Sequence, residues 1–325
     1  MISSKAALVA FLVSIFAGCY EPLWNTIIQS VYTYEKETVK VFVGGASTGI
    51  GEQIAYEYAR RGAHVALLSR RETVLKRVAK TCMLLGAAST VVVTEDVSLG
   101  PIASKRALEK ALRSPSFGGE LDVLVLNHVI GMWDWWLPDN LSETSNGISA
   151  GHADILDGHK QNKSGALGDF AFVEKIFQVN VFSYIYLATM AMPSLTRSQG
   201  RLVVVGSGAG KMGLPKVAPY SASKFALHGF FDSLRIELDY KDIPVSLTMA
   251  VLGNIDTESN RKSTKGDLQH IDRAPADECA KAIISAAGAR QREVVYPYSQ
   301  GLHLITKLRP WAMWFVDQIL TKFAL

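Results

Sequence analysis

From Val39 onward the chain alternates short runs of β-branched and aromatic residues with longer stretches of helical periodicity. The short runs are Val39–Val43, His64–Ser69, Thr90–Thr94, Leu121–Leu126, Leu202–Val205, Val245–Val251 and Val294–Tyr296. Between them, helical patterning covers Gly51–Gly62, Glu72–Leu85, Ile102–Arg113, Phe170–Leu195, a stretch from about Tyr220 to Tyr240, and Ala276–Ala287. Seven strands interleaved with helices predict an α/β fold: a doubly wound parallel sheet with helices on both faces and right-handed crossovers. In such a sheet, ligands bind beyond the carboxyl ends of the strands. Gly51, Asn127, Ser207 and Gly253 all fall at or just past those ends, so residues scattered along the chain converge on one crevice.

The first strand runs straight into Gly44-Gly45-Ala46-Ser47-Thr48-Gly49-Ile50-Gly51 and then a helix. A glycine turn placed so lets backbone approach a pyrophosphate, and the helix start offers unpaired N–H groups and a positive dipole end. The arrangement predicts a Rossmann dinucleotide site; a glycine-rich turn that only packs helix on sheet is the plain alternative. The second strand ends at Arg70-Arg71, where an acid would bind a free ribose 2′-hydroxyl. Guanidinium can instead hold a 2′-phosphate by charge-assisted bonds, which favours NADP over NAD, although two arginines opening a helix could simply be solvated. The third strand ends at Asp96-Val97, a position suited to the adenine rim.

Pro219-Tyr220-Ser221-Ala222-Ser223-Lys224 carries the candidate chemistry. Tyr and Lys four apart stack on one helix face, one turn above the other. An ammonium beside a phenol favours the phenolate, so Tyr220 is expected to exchange a proton nearer neutral pH than its ordinary value of about 10.

Composition narrows the classes. The 325 residues are 48% hydrophobic and 20% charged, those of a globular protein with a large core. A net charge of +4, with Lys and Arg dispersed, does not point to nucleic acid. Cys19, Cys82 and Cys279 show no metal-ligand spacing, and neither a disulfide framework nor a metal site is expected.

Three stretches stand outside the alternation. Ala6–Gly18 is uncharged, follows Lys5 and precedes Glu21. It is shorter than the ~20 residues that span a bilayer core, which leaves a signal-peptide core, a signal anchor or a buried helix open. Phe16-Ala17-Gly18-Cys19 also loosely resembles a lipoprotein cleavage box. The preferred reading for residues 1–30 is an uncleaved anchor, with the charge bias placing the N-terminus in the cytosol and the rest across the membrane. Gly131–Asp169 is rich in Gly, Ser, Asn and Asp and looks like an inserted surface loop within a domain of residues 39–300. It holds Trp133, Trp135 and Trp136, which could line a substrate mouth, touch membrane or pack locally, and the sequons at Asn140 and Asn162, which suit a luminal loop. The last stretch, residues 301–325, sets Trp311, Trp314, Phe315, Ile319 and Leu320 among Lys307, Arg309 and Lys322, as a membrane-surface helix, a homodimer contact or a core helix would.

On these motifs the chain from about Val39 to Tyr298 resembles the short-chain dehydrogenase/reductase family. Gly45, Gly49 and Gly51 match its glycine turn, Asn127 the start of its Asn-Asn-Ala-Gly motif, and Asn180, Ser207, Tyr220 and Lys224 its catalytic tetrad in order and spacing. Within the family, Leu126-Asn127-His128, the stretch Ala218–Phe231, the stretch Val251–Glu258 and the N-terminal anchor are most similar to 11-beta-hydroxysteroid dehydrogenase type 1 and its like.

The resemblance implies hydride transfer between NADP(H) and a hydroxyl or ketone carbon of a lipophilic substrate, a hydroxysteroid first. A retinoid, sphingoid or fatty-acyl substrate is the alternative, and a non-catalytic NADP-binding membrane scaffold the reading from another class. It also implies roles: Tyr220 as the proton donor or acceptor, Ser207 bonded to the reacting oxygen, Lys224 holding the nicotinamide ribose and lowering the Tyr220 pKa, and Asn180 supporting a water chain to the lysine. Ser47, Thr48, Ile50, Val97, Asn127, His128, Ile255 and Thr257 are implied cofactor contacts beside the glycines. An endoplasmic reticulum membrane with the catalytic domain in the lumen is the implied location. Three positions depart from the pattern: Gly44 replaces the usual Thr, Thr48 a basic residue common in NADP-preferring members, and His128 the second Asn. The Gly131–Asp169 insertion has no counterpart in the subgroup. With Thr48 uncharged, Arg70, helped by Arg71, becomes the expected 2′-phosphate contact.

Overall fold

The computed structural model describes residues 39–136, 170–264 and 272–297. In chain order its elements are β1 (Lys40–Gly44), α1 (Gly49–Arg60), β2 (His64–Ser69), α2 (Glu72–Leu85), β3 (Ser89–Thr94), α3 (Pro101–Leu112), β4 (Val123–Leu126), α4 (Phe170–Phe177), α5 (Ser183–Arg197), β5 (Arg201–Val205), α6 (Ala218–Tyr240), β6 (Ser246–Leu252), β7 (Ile255–Asp256), α7 (Glu258–Thr264), β8 (Ala274–Pro275), α8 (Ala276–Gly288) and β9 (Glu293–Tyr296). The anchor, the C-terminal stretch and most of the insertion, with Asn140 and Asn162, lie outside the described residues. Among the described residues no helix is long and apolar enough to cross a membrane.

Seven strands form one sheet in the order β3-β2-β1-β4-β5-β6-β9, all parallel, as the alternation predicts. Alternate residues of each strand feed two separate cores. Val41, Val43, Val65, Leu67, Val123 and Val125 pack under Ile54 and Tyr58 of α1, Leu75 and Val78 of α2 and Ile283 of α8. Phe42, Ala66, Leu68, Leu124 and Leu126 pack on the other face against Leu108 of α3, Tyr184 and Leu187 of α5 and Leu227 and Phe231 of α6. Both sheet faces are thereby removed from water, which is why the strand sequences are apolar almost throughout.

The chain order reverses between β1 and β4, which are direct neighbours although β2 and β3 intervene in sequence. Their carboxyl ends, Gly44 and Leu126, lie in register side by side. Loops leaving them in opposite directions open the crevice that a doubly wound sheet uses for ligands.

Two features differ from the sequence expectation. The stretch expected as one helix from Phe170 to Leu195 is interrupted by a π turn at Gln178–Phe182. Ile255–Asp256 and Ala274–Pro275, too short to show a period, pair as a small parallel ladder beyond the main sheet.

Leu124 is fully buried in central β4. Truncating it removes packing on the α5–α6 face, so Leu124→Ala is expected to lose about 2–5 kcal/mol in chemical denaturation. A loss under about 1 kcal/mol would mean that this face is not a packed core.

Candidate active site

Backbone meets backbone at the glycine turn. Gly45 has φ +73°, and a Cβ there would lie 2.7 Å from both the N and the Cα of His128. At Gly51 a Cβ would fall 2.6 Å from the Asn127 Nδ2 and run into the Gly45 carbonyl oxygen. Only glycine permits this approach of the β1–α1 turn to the end of β4. On the other side, Gly49 packs against the Thr257 side chain, so the loop after β6 closes the same turn. Ile255, in that loop, is buried, and Thr257 Oγ1 accepts from the Asn260 N–H at 3.1 Å. Ser47, Thr48, Ile50, Asn127, His128, Ile255 and Thr257 thus come from three separate strand ends to one place.

Gly44 is matched to His128. A Cβ at Gly44 would sit 2.8 Å from His128 Nδ1, so the imidazole occupies the space into which a threonine at this position would project. The ring is fixed on its other side. Ser183 donates to the Val179 carbonyl at 2.6 Å, so at 2.6 Å from Ser183 Oγ the His128 Nε2 is the donor. The Tyr184 hydroxyl donates to the His128 carbonyl oxygen at 2.8 Å, and the two rings lie 4.5 Å apart. Burial first, and the Lys224 charge second, push the imidazole down to about 3, which keeps it neutral.

The two arginines after β2 diverge. Arg71 donates from Nη2 to Ser47 Oγ at 2.9 Å and to Thr48 Oγ1 at 3.1 Å, lying across the glycine turn. Arg70 faces the opposite way, with its Nη1 3.9 Å from Asp96 Oδ2. Asp96 in turn accepts from the Ser98 N–H and hydroxyl, capping the short turn that begins at the buried Val97.

The chemical half of the crevice lies at the ends of β5 and α6. Tyr220 and Lys224 stand one turn apart in α6, with the lysine Nζ 5.7 Å from the tyrosine ring centre. Lys224 is buried and donates to the Val205 carbonyl at 3.0 Å, which ties α6 to the end of β5. Ser207 caps the short turn Gly208–Gly210 and hydrogen-bonds Tyr220. All three side chains therefore face one spot just past β5.

Burial corrects the expectation that Lys224 draws the tyrosine toward neutrality. Desolvation is the larger influence and raises Tyr220 above its ordinary value, with the Ser207 hydrogen bond opposing it. The same desolvation pushes the Lys224 ammonium down to about 7. A lysine that is half neutral near physiological pH supplies only part of the charge the sequence argument assumed, but it can exchange its proton there.

Asn180 is fully buried on the π turn. Its Oδ1 accepts from the Ile130 N–H at 3.0 Å, and its Nδ2 donates to the Ile130 carbonyl at 2.9 Å and to Ser223 Oγ at 3.2 Å. The Ser223 hydroxyl in turn donates a hydrogen bond to the Tyr220 carbonyl at 2.7 Å. The amide thus ties the segment after β4 to the Tyr220–Lys224 turn of α6. Sequence reasoning missed Ser223, Ser183 and Tyr184. Their signal was faint: a few polar groups within the apolar stretch Val179–Ala188, and a serine adjacent to the lysine.

Cys82 and Cys279 are buried and unpaired, with burial raising both thiols, Cys82 to about 12. Among the described residues no group of His, Cys, Asp or Glu is arranged to hold a metal.

A family model described as short chain dehydrogenase matches residues 39–144 and 149–268. The chain is 39% identical over 270 residues to the hydroxysteroid 11-beta-dehydrogenase 1-like protein of Xenopus tropicalis, covering 82% of each. To that of Gallus gallus it is 39% identical over 273 residues, 83% of each, and to that of Danio rerio 34% over 301 residues, 90% of each. Among solved structures, an alcohol dehydrogenase from Thermococcus sibiricus complexed with 5-hydroxy-NADP aligns with TM-score 0.59 and 22% identity, over 80% of this chain and 96% of that one. A short chain dehydrogenase from Burkholderia cenocepacia in complex with NADP aligns with TM-score 0.62 and 21% identity, over 81% and 96%. Both likenesses are of fold.

The lowered Lys224 pKa makes a prediction. Between about 7 and the unfolded value near 10.4, the unfolded chain holds a proton that the folded one does not, so this group's contribution to stability rises with pH and is lost as pH falls through 7. Lys224→Met removes that penalty. The stability gap between variant and wild type, followed by thermal unfolding, is expected to shift in favour of wild type from pH 6 to pH 10. A gap independent of pH would show that the ammonium is not desolvated.

Proposed function

The chain belongs to the short-chain dehydrogenase family, an oxidoreductase family acting on CH–OH groups, and we propose that it interconverts a hydroxyl and a ketone on a lipophilic substrate with NADP(H). The observation that carries the reading is the convergence of Tyr220, Ser207 and Lys224 on one spot beside the glycine crevice. A hydroxysteroid is the first substrate class. Its support is the name of the relatives, hydroxysteroid 11-beta-dehydrogenase 1-like proteins, and the exposed apolar side chains Val129, Trp135 and Phe170 around the connection from β4 to α4.

The crevice fits a dinucleotide. The bare glycine turn runs straight into α1, whose first N–H groups suit a pyrophosphate, and Ser47, Thr48 and Arg71 present hydroxyls and a guanidinium beside it. When bound there, NADP(H) supplies or takes up the hydride. The chain handles the proton. Tyr220, protonated because burial keeps its pKa high, donates its phenolic proton to the carbonyl oxygen in reduction; in oxidation it first gives that proton up to neutral Lys224 and then takes one from the hydroxyl. Ser207 donates a hydrogen bond to the same oxygen as negative charge develops on it. Lys224, titrating near 7, returns a proton to Tyr220 from the inner side of the crevice. Asn180 fixes the height of the Tyr220 turn through Ser223, and a water path from this amide to the lysine belongs to the proposal.

We place the protein in the endoplasmic reticulum membrane, held by residues 1–30 with the catalytic domain in the lumen; the uncharged run Ala6–Gly18 and the two sequons support this. If so, glycosidase treatment of protein made with microsomes shifts its mobility, and the shift disappears when Asn140 and Asn162 are both replaced by Gln. An unshifted band would remove the luminal placement.

The activity is read by NADPH oxidation against steroid, retinoid and sphingoid ketones with detergent-solubilised protein. Tyr220→Phe is expected to reduce turnover by at least about 100-fold while leaving NADPH binding intact. Tight NADPH binding with no ketone reduced, and no difference between wild type and Tyr220→Phe, would establish the scaffold reading in its place.

A further inference from the structure

We propose that His228 is a positioning residue, which sets Ser207 against Tyr220 by docking α6 on the two glycines at either end of the serine's turn. Its catalytic consequence rests on the oxidoreductase reading above.

The serine stands in a stretch with little side chain to hold it, Gly206-Ser207-Gly208-Ala209-Gly210. Three of these five residues are glycine, whose backbone loses more freedom on folding than any other. The turn's own bonds give it shape: the Gly210 N–H donates to the Ser207 carbonyl at 2.9 Å, and the Lys211 N–H to the Gly208 carbonyl at 2.9 Å. The Gly206 N–H donates to the Ala250 carbonyl at 2.8 Å, which ties the first residue to β6. None of these bonds reaches α6, so they leave the height of the serine relative to Tyr220 open.

His228 supplies the contact from the helix. It lies one turn after Lys224 and two turns after Tyr220, on the buried side of α6 with Lys224, Leu227 and Phe231. A Cβ at Gly210 would fall 2.8 Å from His228 Cδ2 and 2.8 Å from the Lys224 carbonyl oxygen, and a Cβ at Gly206 would fall 3.6 Å from His228 Nε2. The imidazole therefore rests on the turn both before and after the serine. Ser207 and Tyr220 hydrogen-bond each other across this junction, so its thickness sets their separation.

The ring acts as a spacer and not as a hydrogen-bonding anchor. His228 is 6% exposed, and among the described residues neither ring nitrogen has a hydrogen-bond partner. Burial first, and the Lys211 charge second, push it down to about 4, so it stays neutral. A cation in its place would stand among Lys211, Lys224 and Arg235, with Asp232 as the opposing charge. With no bond made through either nitrogen, what the ring contributes is a flat, neutral body that fits between helix and turn.

Kinetics and backbone hydrogen exchange of the full chain in detergent test the assignment. His228→Ala is expected to lower kcat by about 10–100-fold, the scale of a misplacement of about 1 Å, with NADPH affinity unchanged. In a Ser207→Ala background the same change should have little further effect, because the group it positions is gone. Exchange should rise in the amides of residues 206–212 and not in the central strands. His228→Gln, which returns a flat neutral group to the same space, should regain most of the rate and the protection. An unchanged kcat in His228→Ala, effects that multiply in the double variant, exchange that rises throughout the chain, or a His228→Gln as impaired as His228→Ala would each overturn the assignment. Wild type that turns over no ketone would overturn the oxidoreductase reading instead, and exchange at the turn would then decide the positioning claim by itself.

Discussion

At the end of β1 the chain must pass so close to the end of β4 that no side chain fits between them. Gly45 lies against the backbone of His128, and Gly51 against Asn127 and the Gly45 carbonyl. That contact sets the height of helix α1 over the sheet and brings its first N–H groups to the crevice. It also decides which ring lies behind the turn. With Gly44 bare, the His128 imidazole fills the gap, and Ser183 and Tyr184 hold it there from α5. The space beside the bare Gly44 is thus taken by an imidazole anchored from the neighbouring helix.

A second tie secures the other half of the site. The π turn at Gln178–Phe182 rotates Asn180 inward, where its amide bonds Ile130 twice and Ser223 once. An uninterrupted helix would have carried the following residues round by a different angle, and such single π turns are frequent at functional sites. Ser223 relays the tie to the carbonyl of Tyr220, so the Tyr220 phenol is positioned through its own backbone. Lys224 completes the frame by crossing to Val205. The low-dielectric packing that makes these bonds strong is also what raises the tyrosine and lowers the lysine.

The strands were legible because sheets of this kind bury both faces and so require apolar residues almost throughout: Val41 feeds one core and Phe42 the other. The glycine turn was legible because positive φ and close approach leave one residue type. The interruption at Asn180 was not, since Val179–Leu187 keeps a helical apolar period straight through it. Nor was the β7–β8 ladder, whose strands are too short to carry a period.

What the sequence by itself determined is whatever depends on neighbours in the chain: the order of strands and helices, the glycines of the first turn, and the one-turn spacing that stacks Tyr220 on Lys224. Only the tertiary structure decided what depends on groups far apart in sequence. It sent Arg71 and not Arg70 across the glycine turn, set His128 into the space beside Gly44, and joined Asn180 to a serine 43 residues further on. It also decided the sign of the tyrosine's shift. The spacing brings a lysine near, but the free energy of charging either group is set by how much water the packed helices exclude, and that is a property of the whole fold.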